Sequence, residues 1–320
     1  MSIISTVTVT VPATTANLGP GFDCIGAALT LYNHFHFSLL EEAETLKITA
    51  TGKEAAKVKT DDSNLAYQAF VKLYEYLGQS PPSVAIEISL GVPLARGLGS
   101  SATAIAGGLV GANYLAGEPL TPVEVMQLAI AIEGHPDNVV PALFGGCRLA
   151  ATKGEPPQPP LTKGGQGGCN WEICDIPWHS DIVPIVAIPD FELSTAEARK
   201  VLPTEYSKAD AIFNAAHLGL LVRGLGTGNA DWLRSAMQDK IHQPYRQSLI
   251  KGYSTVRFAA IAAGAYEMVI SGAGPTLLAL ASADVATAVA AAMAQAWLQE
   301  GVTPEVRSLS LDTQGAKIST

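Results

Sequence analysis

The chain is short of cysteine, of charge and of aromatic side chains. Its four cysteines form no C-x-x-C pair, and neither they nor the six histidines show the paired spacing of metal ligands. A zinc or iron–sulfur site is therefore not expected, and reduced, buried thiols are the default for the cysteines. Basic residues form no cluster that outweighs the net charge of -9, so we expect neither nucleic acid nor an anionic membrane as a partner.

Long apolar runs are missing as well. Residues 1–11 lack the basic segment and the apolar core of a signal peptide, and no stretch of about 18 or more strongly apolar residues occurs. We therefore expect a cytoplasmic protein without a membrane span. What the chain does have is 48% apolar residues over 320 positions, enough to bury a large core in one large or two smaller domains.

Residues 153–170 are rich in Pro and Gly, which predicts an exposed loop between a first part, 1–152, and a second part, 171–320. In the first part the patterns predict strands over 3–11, 46–50 and 84–89 and helices over 63–77, 100–116 and 122–133. In the second part they predict strands over 182–188, 268–271, 277–281 and 305–311 and helices over 196–202, 209–224, 231–237 and 285–298.

A glycine-rich turn followed by two serines is the most informative segment. Residues 93–103 read PLARGLGSSAT and lead into an Ala-rich stretch that favours a helix. Gly97 and Gly99 allow positive φ angles, so successive backbone N–H groups can converge on an anion. Ser100 and Ser101 would begin the helix, whose first unpaired N–H groups favour a phosphate. In isolation, a hairpin capped by serines would explain the same residues. The predicted phosphate-binding residues are Pro93, Leu94, Ala95, Arg96, Gly97, Leu98, Gly99, Ser100, Ser101, Ala102 and Thr103.

This turn differs from two common phosphate-binding motifs. A Walker loop needs Gly-Lys-Ser or Gly-Lys-Thr, and neither tripeptide occurs in the chain. A dinucleotide fingerprint needs a third glycine where Ala102 stands.

Two further segments carry polar groups at unusual places. Residues 12–26, PATTANLGPGFDCIG, set Asn17 and Asp23 on a loop made tight by its glycines and proline, which suits a small substrate with an ammonium and a hydroxyl group. Alternatively, the two side chains only cap their own turn. The predicted helix 122–133 ends at Glu133, where Gly134 stops it. A carboxylate there opposes the helix dipole, so a functional reason is favoured.

A second loop with little side chain lies between two apolar runs. It contains Ser271, Gly272 and Gly274, and its backbone can press against a ligand, although a plain tight turn is the alternative. Arg199 and Arg246 offer planar guanidinium groups of the kind that bind a carboxylate, and the alternative is that each is a solvated arginine.

In this order, the motifs resemble the GHMP kinase superfamily, named for galactokinase, homoserine kinase, mevalonate kinase and phosphomevalonate kinase. In that superfamily Pro-x-x-x-Gly-Leu-Gly-Ser-Ser-Ala wraps the phosphates of ATP, and residues 93–102 match it at each position. The loop 271–276, SGAGPT, looks like its third motif, beside the phosphates and the substrate. Residues 15–23, TANLGPGFD, resemble the homoserine kinase branch.

Two groups of site residues follow from this resemblance. It implies that Ser101 and Glu133 hold the magnesium ion of MgATP. His135, Asp137 and Asn138 match the H-x-D-N stretch that lines the amino-acid pocket in homoserine kinases.

The resemblance also implies how the substrate is held. Arg199 and Arg246 would bind its carboxylate, and Asn17 would help to form its pocket. We expect Asp23 to hold the substrate ammonium and Asn138 to orient the hydroxyl, with Asp23 as a general base the alternative.

The implied fold is α+β in two parts. It has an N-terminal nucleotide-binding domain with a left-handed βαβ crossover and a ferredoxin-like C-terminal domain. The implied activity is ATP-dependent phosphorylation of the L-homoserine side-chain hydroxyl to O-phospho-L-homoserine in threonine biosynthesis, by a homodimer that uses MgATP. Another small-molecule kinase of the superfamily would need a pocket without the two arginines. A ligand-sensing relative would have lost Glu133 or the loop serines, all of which are present.

Overall fold

The structure, a computed structural model, describes residues 5–41, 45–154 and 171–319. Its strands are β1 (Thr6–Asn17), β2 (Gly21–Leu39), β3 (Leu46–Thr51), β4 (Val84–Ser89), β5 (Cys147–Thr152), β6 (Trp171–Ile176), β7 (Ile182–Ile188), β8 (Glu267–Ile270), β9 (Leu277–Ser282), β10 (Glu305–Ser308) and β11 (Lys317–Ser319). Its α-helices are α1 (Leu65–Tyr76), α2 (Ser100–Leu115), α3 (Pro122–Glu133), α4 (Pro136–Phe144), α5 (Thr195–Lys200), α6 (Lys208–Thr227), α7 (Ala230–Ala236), α8 (Gln243–Arg246), α9 (Tyr253–Ala262) and α10 (Ala286–Gln299). No helix in these ranges is long and apolar enough to cross a membrane.

The first sheet has seven strands, in the order β11-β1-β2-β4-β3, with β5 beside β2 and β6 beside β5. Neighbouring strands are antiparallel except β3 and β4, which are parallel and joined through α1 as a βαβ unit. Phe35 and Phe37 of β2 press against Gly107 and Gly111 of α2, where an added Cβ would lie 2.5 Å from each ring. The two glycines therefore let α2 lie close to the sheet, which fixes the position of the loop that precedes α2.

The second sheet has the order β10-β7-β9-β8, and all its neighbours are antiparallel. This order, with α10 between β9 and β10 and a helical segment between β7 and β8, is that of a ferredoxin-like split βαβ fold. One face is covered by α9 and α10 through Val256, Met293 and Trp297. The other shares a core with β2 and with α6 and α7. The α+β fold expected from the sequence is confirmed.

One strand corrects the sequence analysis. The 19-residue strand β2 was not predicted, although buried residues alternate with half-buried or exposed ones along its second half from Leu29 to Phe37. The loop expected to carry Asn17 and Asp23 is shorter than predicted, because Asn17 ends β1 and Asp23 already belongs to β2. Only residues 18–20 form the turn, which is made possible by positive φ angles at Asn17, Leu18 and Gly19.

Several other elements were missed, namely α4, β5, β6, α8, α9 and β11, and the strand expected over 305–311 ends at Ser308. Strands β6 and β11, although they come from 171–320, join the first sheet. Of the predicted loop 153–170, residues 155–170 lie outside the described residues. Cys147 is buried as expected, but Cys174 is exposed, because it lies on β6 at the edge of the sheet.

Candidate active site

A cleft of about 320 Å³ is lined by residues from both parts of the chain. The predicted site residues that line it are Asn17, Asp23, Ala95, Gly97, Gly99, Ser100, Ser101, Glu133, His135, Asn138, Arg199, Arg246, Gly272 and Gly274. The cleft therefore brings together every motif that the sequence singled out. Asp137 and the segment 193–195 also line it.

The glycine-rich loop forms one wall of the cleft. Gly97 and Gly99 have φ angles of 77° and 69°, and α2 begins directly after Gly99, so its first N–H groups lie at the cleft. Space is as restrictive as conformation: a Cβ on Gly99 would lie 1.9 Å from the Thr14 hydroxyl oxygen, and one on Gly97 would lie 2.3 Å from the Ser271 carbonyl oxygen. Only glycine fits both positions.

The third-motif loop is bonded to both the phosphate loop and β1. The Ser271 hydroxyl donates to the carbonyl of Gly97 at 2.6 Å and lies 2.9 Å from the hydroxyl of Thr15. Asn17 donates from Nδ2 to the Gly272 carbonyl at 2.7 Å, and its Oδ1 accepts from the backbone N–H of Asp23 at 3.0 Å. Asn17 therefore holds the turn 18–20 against the third-motif loop.

Some predicted phosphate-loop residues do not face the cleft. Arg96 is buried and donates to the carbonyls of Pro189 and Leu94 at 3.1 and 2.9 Å, and it pairs with Glu54 and Glu192. It ties the loop to the segment after β7. Of the others, Leu98, Ala102 and Thr103 are buried in the interior, and Pro93 and Leu94 line neighbouring cavities.

Glu133 and Ser101 meet at the start of α2. The predicted end of α3 is confirmed, since Glu133 is its last residue and Gly134 follows with a φ of 90°. The Ser101 hydroxyl donates to Glu133 Oε2 at 2.7 Å. Burial raises the pKa of Glu133 above its usual value, although the Ser101 hydrogen bond partly opposes the shift. The pair presents two hard oxygen atoms beside the loop amides.

The segment before and into α4 forms a chain of polar contacts. His135 Nδ1 lies 2.5 Å from Asp137 Oδ1. Burial of the imidazole lowers its pKa, but the hydrogen bond and charge of Asp137 outweigh this, so that the pKa of His135 is raised. Asn138 Nδ2 is 3.4 Å from Asp137 Oδ1, and Asn138 Oδ1 accepts from the Thr14 hydroxyl at 2.8 Å.

The two arginines have different surroundings. Arg199, in the last turn of α5, donates two bonds of 3.0 and 2.9 Å to the carboxylate of Asp23. Arg246 is 2% exposed and donates to the carbonyls of Ala198 and Gly272 at 3.0 and 3.2 Å. Burial and the charge of Arg199 lower the pKa of Arg246.

Arg246 has no carboxylate partner among the residues that the structure describes, although it lines the cleft. A buried guanidinium without an anion is costly, so the site is suited to a ligand carboxylate. The ligand atoms of Asp23, His135 and Asp137 lie within 4.8 Å of one another, and the two carboxylates among them offer acceptors for an ammonium group. The cleft thus suits a zwitterion next to a phosphate site.

A second cavity of about 340 Å³ shares Ser100 and Ser101 with the cleft. Apolar residues such as Ile88 and Leu90 form most of its other walls, and Lys57 and Lys59 are among the polar residues that line it. A largely apolar cavity beside a phosphate loop suits the base of a nucleotide.

Sequence reasoning missed several residues that support the site. The sequence indicates Thr14 only as part of the motif around Asn17, and nothing in the pattern indicates that its hydroxyl reaches Asn138. Glu54 accepts from the Leu94 backbone N–H at 2.7 Å and so supports the phosphate loop from outside. No sequence signal marks this contact, because it depends on the fold.

Two family models match the chain. The model for the GHMP kinases N terminal domain matches residues 64–146, which contain the phosphate loop and the helices α3 and α4. The model described as GHMP kinases C terminal matches residues 221–299, which contain the third-motif loop.

Curated proteins of similar sequence carry the name homoserine kinase. One from Trichormus variabilis is 70% identical over 316 residues, which cover 99% of this chain and 100% of that protein. Another, from Trichodesmium erythraeum, is 66% identical over 319 residues and covers 100% of both chains.

Solved structures show the same fold. The homoserine kinase from Cytophaga hutchinsonii matches with a TM-score of 0.85 and 27% identity, over 100% of this chain and 99% of that one. The L. major mevalonate kinase, in complex with R-mevalonate, matches with a TM-score of 0.67 and 17% identity over 96% of this chain and 95% of that one, which is evidence for the fold alone.

Proposed function

We propose that this chain, which belongs to the homoserine kinase family of the GHMP kinases, transfers the γ-phosphoryl group of ATP to the side-chain hydroxyl of L-homoserine. The product is O-phospho-L-homoserine, an intermediate of threonine biosynthesis. Family membership carries the reaction class, and the curated relatives named homoserine kinase support the acceptor.

One observation in the cleft supports this acceptor most directly. Arg246 is a buried cation that makes no ion pair with a carboxylate among the described residues, and it lies in the same cleft as the glycine-rich loop. An acceptor without a carboxylate would leave that charge unpaired. L-Homoserine supplies the carboxylate, and its ammonium group can approach Asp23.

The donor nucleotide fits the remaining space. The phosphates would lie against the N–H groups of the loop and the first turn of α2, where the helix dipole favours negative charge. The adenine base would occupy the apolar cavity that shares Ser100 and Ser101 with the cleft. This arrangement would set the terminal phosphate beside Asn138, which lines the same cleft.

The donor atoms of Ser101 and Glu133 fit a magnesium ion. Mg²⁺ prefers oxygen ligands, takes one or two carboxylates and keeps its remaining sites for phosphate and water. The raised pKa of Glu133 is consistent with this role, because a buried carboxylate is stabilised by a cation. When bound, Mg²⁺ would neutralise charge on the phosphates.

The residues of the chain would act mainly by position. Phosphoryl transfer passes through a loose transition state, so aligning the acceptor hydroxyl with the γ-phosphate supplies much of the rate. Arg246 and Arg199 would hold the substrate carboxylate, Asp23 its ammonium, and Asn138 its hydroxyl. Both oxygens of Asp23 accept from Arg199, which supports a charge-pairing role for Asp23 over proton abstraction.

A coupled assay of ADP release tests the proposal. The purified protein is given MgATP with L-homoserine, mevalonate, galactose or shikimate, and we expect turnover with L-homoserine and poor turnover with the others. If another alcohol gives turnover while L-homoserine stays at the ATPase background, the acceptor is wrong. If no alcohol gives turnover but L-homoserine binds, the chain is a ligand-sensing relative.

The homodimer and the cytoplasmic location expected from the sequence stay part of this proposal. Sedimentation velocity at several protein concentrations tests the first, and a single species at the mass of one chain would contradict it.

A further inference from the structure

Thr14 is a buried residue on β1 whose side chain contacts Asn138, one of the residues that line the cleft. It is 0% exposed, and its backbone N–H donates to the Leu98 carbonyl at 3.1 Å. Its hydroxyl is closely confined by Gly99, where a Cβ would lie 1.9 Å from the Thr14 oxygen. The residue therefore has little freedom to move.

The hydroxyl of Thr14 is hydrogen-bonded to the oxygen of the Asn138 carboxamide. It donates to Asn138 Oδ1 at 2.8 Å, while Nδ2 of the same side chain lies 3.4 Å from Asp137 Oδ1. If the carboxamide were flipped, Oδ1 would face the Asp137 carboxylate, and two acceptors would oppose each other. Asp137 therefore selects the orientation, and the shorter bond from Thr14 holds it.

This orientation decides what Asn138 can do in the cleft. Oδ1 already accepts from Thr14 and one N–H of Nδ2 faces Asp137, so the second N–H of the carboxamide is the group that can donate to a ligand in the cleft. An N–H donor can bind the oxygen of an acceptor hydroxyl and align it, whereas a carbonyl oxygen would bind its proton instead.

We propose that Thr14 is a positioning residue for phosphoryl transfer, which fixes Asn138 so that it meets the acceptor hydroxyl as an N–H donor. The proposal rests on the proposed function, since it assigns the hydroxyl to Asn138. The charged ends of the substrate are held elsewhere, by Asp23 and Arg246. A misoriented Asn138 therefore lowers kcat and leaves both KM values nearly unchanged.

The primary test compares Thr14→Val, which replaces the hydroxyl by a methyl group of similar size, with Thr14→Ser, which keeps the hydroxyl. Loss of one hydrogen bond to a buried acceptor predicts a fall in kcat of about tenfold to a hundredfold for Thr14→Val. Thr14→Ser should stay near the wild-type kcat. If Thr14→Ser is as slow as Thr14→Val, or if the KM for ATP rises with either change, Thr14 acts through the phosphate loop and the proposal fails.

A double-mutant cycle separates positioning from a general structural effect. In an Asn138→Ala background, Thr14→Val should cause no further loss of kcat, because there is no carboxamide left to orient. Thr15→Val is the matched control, since Thr15 is a buried threonine whose hydroxyl lies next to Ser271 and not next to Asn138. The fold-losses of kcat caused by Thr15→Val and by Asn138→Ala should multiply in the double variant. Equal losses from Thr14→Val in both backgrounds would overturn the proposal.

A measurement without turnover keeps this test distinct from failure of the proposed function. The side-chain amide of Asn138 is assigned by NMR from its absence in Asn138→Ala, and its exchange with solvent is measured in the free protein. We expect slow exchange in wild type and Thr14→Ser, and faster exchange in Thr14→Val, or in Thr14→Ala if the valine variant does not fold. Equal exchange in all variants would refute the proposal, even if the acceptor alcohol is not L-homoserine.

Discussion

Replacing Arg246 by methionine should abolish tight binding of L-homoserine. The methionine side chain keeps apolar contact with the Phe22 ring, whose centroid lies 5.0 Å from the guanidinium carbon, but it removes the charge. Truncating one partner of a buried charge pair costs about 2–5 kcal/mol, and we expect the upper part of that range because Arg246 is 2% exposed and solvent cannot screen the loss. The KM for L-homoserine should rise by about 300-fold to several thousand-fold.

Arg199→Met is the comparison within the same cleft. The Arg199 side chain is 40% exposed and already shares its charge with Asp23, so its removal should raise the KM for L-homoserine by less. The KM for ATP should change little in either variant, because the nucleotide phosphates rest on the glycine-rich loop.

The acceptor 3-aminopropan-1-ol, which is homoserine without its carboxylate, makes the assay specific. In coupled ADP-release kinetics, Arg246→Met should alter its kcat/KM far less than that of L-homoserine. Equal losses for both acceptors would refute the reasoning, since the arginine would then act on structure or on ATP. Thermal unfolding of the variant, followed by circular dichroism, shows whether the fold is retained.

Three further predictions concern stability and nucleotide binding. Glu133→Gln should lower kcat strongly yet raise the free energy of unfolding at neutral pH. Because burial raises the pKa of the Glu133 carboxyl, the stability that this group contributes is complete below its unfolded pKa of 4.5 and is lost as pH rises through its folded pKa. The free energies of unfolding of the variant and the wild type should therefore converge in acid. The pKa of His135 is raised from 6.5, so the stability that this group contributes should be complete below pH 6.5 and be lost as pH rises through its folded pKa. His135→Gln should remove this pH dependence of the free energy of unfolding, measured by urea unfolding across pH 5 to 9. An unchanged pH dependence would assign it to another group. Gly99→Ala should abolish ATP binding in calorimetry, because its Cβ would lie 1.9 Å from the Thr14 hydroxyl at a φ of 69°, and normal affinity would contradict the described loop geometry.

Local chemistry made parts of the site predictable. Glycines and serines at fixed spacing predicted the loop and the start of α2 at Ser100, and Gly134 predicted the end of α3, because turns and caps depend on a few neighbouring residues. Strand β2 was predictable in principle from the alternation around Phe35 and Phe37, but its glycines and polar residues obscured the pattern.

Other features depend on residues far apart in the chain. The pairing of Arg199 with Asp23 joins positions 176 residues apart, and no local pattern distinguishes it from a pocket with a free Arg199. Arg96 stands inside the phosphate motif, yet its guanidinium is turned away by Glu54 and by the carbonyl of Pro189, which the motif does not contain. Tertiary packing decides such cases.

The hydrogen bond from Asn17 to Gly272 has a consequence for how the active protein is recovered after unfolding. It closes a stretch of 255 residues, and the chain loses the conformational entropy of that closure before the hydrogen bond can stabilise the fold. Proteins rich in contacts this distant fold slowly, whereas single helices form in about a microsecond. A renaturing sample can therefore regain its helical circular dichroism signal before the cleft exists. Phosphoryl transfer is the stricter measure of complete refolding.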